Sequence, residues 1–180
     1  MPLRKDALYA ASLLVAAVHD VAVDIPGDQV ATVGLLNVAP NAPNIVPGRV
    51  ELTIDMRDLF LETLGQMVDG LKQRIQGIAA STGTHIELQP QHFVEPTLAS
   101  PVVQAAIATV CADLQLTHYS MPSRAIHDAQ EIGRFTAMGM IFVPSQAGVS
   151  HAEDEYTSPE QCAQGADVLL HTLLRLDDQL

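Results

Sequence analysis

Eight consecutive residues, Val50 to Arg57, alternate without a break. Val50, Leu52, Ile54 and Met56 are apolar, whereas Glu51, Thr53, Asp55 and Arg57 are polar. Side chains of a strand point to opposite faces in turn, so this is a strand with one face in a core and one in water. Such a strand needs a covering layer on its apolar side. Two flanking segments have the spacing to supply it. Asp6 to Val21 places Ala7, Leu8, Ala11, Leu14, Val15 and Val18 near helical period, and Leu61 to Ser81 places Leu64, Met67, Val68, Leu71, Ile75 and Ile78 on one stripe. Between the first helix and the alternating strand, Ile25-Pro26-Gly27-Asp28 reads as a turn and Gln29 to Val38 as a strand. Pro40-Asn41-Ala42-Pro43 breaks that strand, and Pro47-Gly48 begins another turn. Thr82-Gly83 ends the second helix, and His85 to Val94 reads as a third strand.

The order is helix, strand, strand, helix, strand. A ferredoxin-like unit is strand, helix, strand, strand, helix, strand. The expectation is therefore that fold without its first strand, with a sheet edge left exposed.

A second region starts after Pro96. Pro101 to Leu114 is an alanine-rich helix with Ser100 at its N-cap, Thr117 to Met121 a short strand, and His127 to Thr136 a short helix. Met138 to Pro144 reads as a buried strand. Ser158-Pro159 opens a last helix with Cys162, Ala166, Leu169, Leu173 and Leu176 as its apolar stripe. Strands alternating with helices point to a parallel, two-faced sheet, but two short strands cannot make a self-sufficient one. This region reads as the tail of a larger α/β domain.

A formal net charge of −12 argues against nucleic acid and anionic membranes as partners. It leaves room for an acidic ligand, because a single Arg can grip a carboxylate. Cys111 and Cys162 fall in predicted helices and read as small core residues, with neither a disulfide framework nor a CxxC metal site. The start, Met1 to Asp6, lacks the form of a signal peptide, and no apolar run is long enough to span a bilayer; the expected location is cytoplasmic.

Chemistry concentrates in Gly148-Val149-Ser150-His151-Ala152-Glu153-Asp154-Glu155-Tyr156-Thr157, directly after the apolar run Met138 to Pro144. Ligands in open α/β sheets bind at the carboxyl ends of strands. His151 reads as a metal ligand or acid–base group, or else as a surface histidine in an acidic loop. His151-x-Glu153 has the start of a zinc-deaminase signature, but no Pro-Cys-x-x-Cys follows. His127-Asp128 opens a helix after Pro122 to Ile126, where backbone N–H groups could take an anion, or Asp128 could simply cap the helix. Arg57 could grip a substrate carboxylate or only pair with Asp55 and Asp58. Asn44, in a proline-fixed loop, could serve recognition or hold the turn. His19, His85, His92, His118 and His171 share no spacing and read as structural.

Taken together these blocks resemble the hydantoinase/carbamoylase family, which belongs among the aminoacylase-like metallopeptidases of family twenty. The resemblance runs through Asp6-Ala7, Ala31-Thr32-Val33-Gly34 and Pro40 to Asp58. It continues through His127-Asp128-Ala129-Gln130, Ile141 to Ser145, Gly148 to His151 and Glu155-Tyr156-Thr157. The family contains N-carbamoyl-L-amino acid hydrolases, allantoate amidohydrolases and β-ureidopropionases. The resemblance implies an α/β (α+β) chain: residues 1–97 as a ferredoxin-like lid and dimerisation domain, incomplete at its first strand, and residues 98–180 as the C-terminal segment of the catalytic domain. It implies that His151 is a metal ligand and that His127 belongs to an active-site loop. It implies that Asn44 and Arg57 contact the substrate carboxylate from the lid of one subunit of a homodimer. The implied chemistry is hydrolysis of a linear amide or ureido C–N bond. Two divalent ions (zinc, manganese, cobalt or nickel), bridged by an aspartate and a water, assist it, and a glutamate is the general base.

This chain departs from the family pattern. The preceding lid strand with its histidine, the bridging aspartate, a Glu-Glu pair and two further histidine ligands have no counterpart. Arg124-Ala125-Ile126 stands where the family has Gly-Ala-Gly, and Glu153 where it has proline. A single ligand cannot hold a catalytic metal. The expectation is thus the C-terminal portion of an amidohydrolase, inactive alone and not stably binding metal; the alternatives are a non-catalytic dimerisation or carboxylate-binding module, or a truncated remnant.

Overall fold

The computed structural model describes residue 1 and residues 3–177, so the last three residues of the expected second domain lie outside the described residues. The chain divides into two compact units, Met1–Pro96 and Thr97–Leu180.

In the first unit, helix α1 spans Ala7–Val23. Asp6 caps it, its Oδ1 accepting from the backbone N–H groups of Leu8 and Tyr9 at 3.1 Å each. Ala10, Ala11, Leu14, Ala17, Val18 and Val21 form its buried face. Strands β1 (Val30–Ala39) and β2 (Arg49–Arg57) pair antiparallel as a hairpin. The register breaks once, between Val33 and Leu35, leaving Gly34 as a bulge. The bulge returns Leu36 and Val38 to the face of Leu52 and Val50, opposite which they pair. Along β2 the burial alternates residue by residue, as the period-two pattern requires. Helix α2, Leu61–Thr82, buries Met67, Leu71 and Ile75 and stops at Gly83, whose φ of 65° is the left-handed conformation glycine tolerates. Leu14, Ala17, Val18 and Val21 of α1 meet Leu71 and Ile75 of α2 over Ala31, Val33, Leu52, Ile54 and Met56. Both helices thus cover one face of the hairpin. Buried Gln29 closes the α1–β1 connection: its Nε2 donates to Ala22 O at 2.6 Å and also to Ile25 O.

The expected third strand, His85 to Val94, is corrected. Among the described residues the sheet has two strands, and residues 84–98 join no ladder. Strand-like alternation survives locally, with Ile86 packed on the core and His85 and Glu87 exposed. A strand needs a neighbour's backbone groups, and none is placed beside this segment.

The second unit holds α3 (Pro101–Asp113), α4 (Asp128–Ile132) and α5 (Pro159–Asp177). Ser158 and Gln161 cap α5 reciprocally: Gln161 N–H donates to Ser158 Oγ at 3.2 Å, and Ser158 N–H to Gln161 Oε1 at 3.4 Å. Ser100 occupies the cap position of α3 without a side-chain hydrogen bond. The core is Val110, Cys111 and Val168, with Ile107, Leu114, Leu116 and Ile141 against it. Arg175 Nη2 bonds Asp113 Oδ2 at 2.9 Å, tying α5 to α3.

Three expectations are overturned in this unit. Thr117–Met121 and Met138–Pro144 form no ladder among the described residues, so no parallel sheet exists there. Met138 is buried, but Phe142 is 53% exposed, so this is not a buried strand. On α5 the buried positions are Val168 and Thr172, while Cys162, Leu169 and Leu173 are exposed. The apolar run and the leucines are sequence signals for surfaces that nothing among the described residues covers.

These differences set a contrast in stability. Leu71→Ala, which empties a fully buried site, lowers the unfolding free energy by about 2–5 kcal/mol. Leu173→Ser, at an exposed site, changes it by about 0.5 kcal/mol or less. Urea unfolding followed by circular dichroism measures both.

Candidate functional site

His151 sits in a loop that is pinned at its base and strained at its tip. Gln146 N–H donates to Tyr156 O at 2.8 Å, and Thr157 Oγ1 donates to Pro144 O at 2.9 Å. A single 3₁₀ turn, Gln146–Gly148, follows Ser145, whose Oγ donates to Val149 O. Ala147, Gly148 and His151 have φ of 55°, 70° and 60°, so two non-glycine residues adopt the left-handed region. Glu155 Oε2 accepts the His151 backbone N–H at 2.8 Å, and Ser150 Oγ contacts His151 Nδ1 at 2.7 Å. The Nδ1 side of the ring is therefore held by Ser150. The imidazole is exposed, so with Nδ1 engaged Nε2 is the ring nitrogen that could serve as a ligand.

The loop's carboxylates do not gather around that nitrogen. Glu155 is spent on a backbone N–H, and Glu153 and Asp154 are exposed. Among the described residues no group of three or more His, Cys, Asp or Glu side chains could hold a metal ion. The donor set of the described residues does not fit a catalytic metal, which takes at least three protein ligands in zinc enzymes.

His127 occupies the cap position of α4, and Asp128 lies inside the first turn. Capping by the Asp128 side chain is thus corrected; its charge instead faces the positive end of a very short helix. The His127 ring is half-buried and meets Phe142 edge-on, with centroids 5.7 Å apart at 62°. Its Nε2 is in hydrogen-bond contact with Ser123 Oγ, which also accepts from Ala125 N–H at 3.2 Å. Ser123 was not among the expected site residues. The available signal was a Ser four positions before a His across a turn, which is too common to single out. Arg124 has φ of 58°, so an arginine holds a left-handed conformation that usually favours glycine. A residue held there costs about 1–3 kcal/mol of backbone strain.

Asn44 and Arg57 lie in the first unit. Asn44 is exposed in the loop before β2, where Ile45 N–H donates to Ala42 O at 3.3 Å and Gly48 N–H to Ala39 O at 3.1 Å. Arg57 ends β2, so the two stand at opposite ends of that strand. Arg57 grips Asp55 with a fork: Nε to Oδ1 and Oδ2 at 2.9 and 3.1 Å, and Nη2 to Oδ2 at 2.6 Å. Hydrogen bonding by Arg57 lowers the Asp55 pKa against a smaller opposing effect of burial, and Asp55 raises that of Arg57 in the same way. Asp58 instead accepts from Phe60 N–H at 3.4 Å, at the entrance to α2.

The fork has a pH signature. A carboxylate whose folded pKa is depressed adds stability above its unfolded pKa and loses it as pH falls through the folded value. Wild type melts above Asp55→Asn by a steady margin at pH 5–8. That margin shrinks as pH drops below about 4. The exposure of the pair keeps the margin small. Thermal unfolding across pH measures it.

The family model described as Peptidase family M20/M25/M40 matches residues 8–175. An N-carbamoyl-L-amino-acid amidohydrolase of Paenarthrobacter aurescens is 36% identical over 177 residues, 98% of this chain and 43% of that protein. A ureidoglycolate hydrolase of Arabidopsis thaliana is 35% identical over 178 residues, 98% of this chain and 37% of that protein. A crystal structure of an amidase of the hydantoinase/carbamoylase family from Burkholderia multivorans superposes with a TM-score of 0.92 at 35% identity, covering 97% of this chain and 43% of that one. The chain spans less than half the length of these relatives.

Proposed function

The chain belongs to peptidase family M20/M25/M40, and from that premise we propose that it is the C-terminal portion of a metal-dependent amidohydrolase. The complete enzyme hydrolyses a linear amide or ureido C–N bond, and this chain alone is inactive. The main support is the relation to amidohydrolases over nearly the whole chain, joined to a donor set too small for a metal centre. Residues 1–97 act as lid and dimerisation domain, and residues 98–180 complete the catalytic domain. In the whole enzyme the divalent metal is zinc, manganese, cobalt or nickel. His151 contributes one ligand to it through Nε2. The substrate is a small N-carbamoyl amino acid or related ureido compound. Its carboxylate is met by Asn44 and by Arg57, which must then share its fork with Asp55 or release it. His127 lies in the active-site loop, its ring oriented by Ser123 and Phe142. The assembly is a homodimer in the cytoplasm; among the described residues no helix is long and apolar enough to cross a membrane.

The test is complementation. The chain supplied with zinc, manganese or cobalt gives no turnover of N-carbamoyl amino acids or allantoate. Coexpression with the preceding portion of the Paenarthrobacter relative restores turnover, and His151→Ala abolishes it. Turnover by the chain alone, lost in His151→Ala, overturns the proposal.

Carboxylate recognition is tested separately. Titration of an N-carbamoyl amino acid into the complemented protein and its Arg57→Leu variant gives at least about tenfold weaker binding in the variant, the loss of a charge-assisted fork. Equal affinities discard the role of Arg57.

A further inference from the structure

We propose that Asp55 is a positioning residue of the carboxylate site: it binds one edge of the Arg57 guanidinium and so aims another edge at the substrate carboxylate, with both carboxylates held by the same cation. The identity of the ligand and the role of Arg57 rest on the functional reading above. The part played by Asp55 rests on geometry.

A guanidinium is planar and carries five N–H donors. Nε and Nη2 form one edge, and Nη1 and Nη2 form another, each matched to the two oxygens of a carboxylate. Asp55 takes the first edge: Nε reaches Oδ1 at 2.9 Å and Oδ2 at 3.1 Å, and Nη2 reaches Oδ2 at 2.6 Å. The two residues lie two apart on β2, so both stand on its polar face. Their backbones are fixed by the ladder, Asp55 opposite Thr32 and Arg57 opposite Val30. With Nε turned back along the strand, the planar group turns its Nη1–Nη2 edge away from Asp55. The other nearby acid, Asp58, accepts from Phe60 N–H at the entrance to α2.

Sharing is favoured over release. Release breaks three contacts to a carboxylate whose position the strand has already fixed. A ligand from solution must instead give up translational and rotational freedom to replace it. Taking the second edge lets the ligand bind without that exchange.

Two effects of Asp55 on an anionic ligand oppose each other. Its charge repels the ligand, whereas its grip spares the ligand the cost of ordering a long arginine side chain. The Arg57 and Asp55 side chains are 44% and 49% exposed, so water screens the repulsion. Hydrogen-bond geometry acts at short range and is not screened in this way. The orienting effect therefore outweighs the charge.

The experiment reads the pair in two settings. In the chain alone, hydrogen exchange of the Arg57 Nε–H, followed by NMR, is about fivefold slower in wild type than in Asp55→Ala, the factor one ordinary hydrogen bond is worth. In the complemented amidohydrolase, with N-carbamoylalanine as substrate, Asp55→Ala and Asp55→Asn each raise KM about three- to tenfold and leave kcat within about twofold. Removing a negative charge by itself tightens the binding of an anion, so a higher KM comes from lost orientation. A misfolded fraction would lower kcat and leave KM unchanged. In an Arg57→Leu background Asp55→Ala changes KM by less than about twofold, because Asp55 acts through Arg57. Equal exchange rates, a KM unchanged or lowered in the Asp55 variants, or a full effect of Asp55→Ala without Arg57 overturns the proposal while the functional reading stands. Failure of the reading looks different: Arg57→Leu itself leaves KM unchanged, or the complemented wild type has no turnover, and the proposal falls with it.

Discussion

The packing of α1 and α2 on one face of a two-stranded hairpin is the interaction on which the first unit depends. A hairpin alone is marginal in water, and an amphipathic helix gains its stability from a surface to cover. Leu14, Val18 and Val21 of α1 reach the same apolar stripe as Leu71 and Ile75 of α2. The glycine bulge in β1 keeps Leu36 and Val38 opposite Leu52 and Val50, where a slip of one residue would turn them to the other face. With the inner face committed to the helices, the polar stripe ending in Asp55 and Arg57 has to face outward. The position of the carboxylate-gripping candidate thus follows from the core beneath it.

Backbone pairing is less complete than side-chain packing, and in both units for the same reason. Burial of Ile86 or Met138 is decided by neighbours already present, whereas a ladder needs a second strand at a fixed spacing. The segments at 85–89 and 138–144 therefore keep local features of strands but lack ladders. The exposed leucines of α5, from Leu169 to Leu174, are the side-chain counterpart within the second unit. A surface of that kind is stable in water only at a cost that a covering partner removes.

Local signals were therefore legible and non-local ones were not. The cap of α5, the alternation of β2 and the stop of α2 at Gly83 could be placed from the residue types alone. The stripe on α5 was misplaced because helical period says which residues share a face, not which of two faces finds a neighbour. Cys162 was misplaced with it. At the site, His151 was legible as an imidazole leaving an apolar run, but its contact with Ser150 and its loss of Glu155 to the backbone were not. The Ser123–His127 contact depends on the fold of a loop whose turn is made by Arg124 in a glycine conformation. No residue preference points there.

The loop of His151 is held by bonds of its own. Left-handed backbone at Ala147 and His151 is costly, and it persists only where surrounding bonds over-determine it. Here those bonds are Gln146 to Tyr156, Thr157 to Pro144 and the Glu155 carboxylate under the His151 N–H, all within the second unit. The aim of the imidazole is thus set locally. Affinity for a cation is not, because it depends on several donors sharing the loss of its water shell. Local aim and cation affinity are thus separate properties, the first set by short-range bonds and the second by how many donors converge.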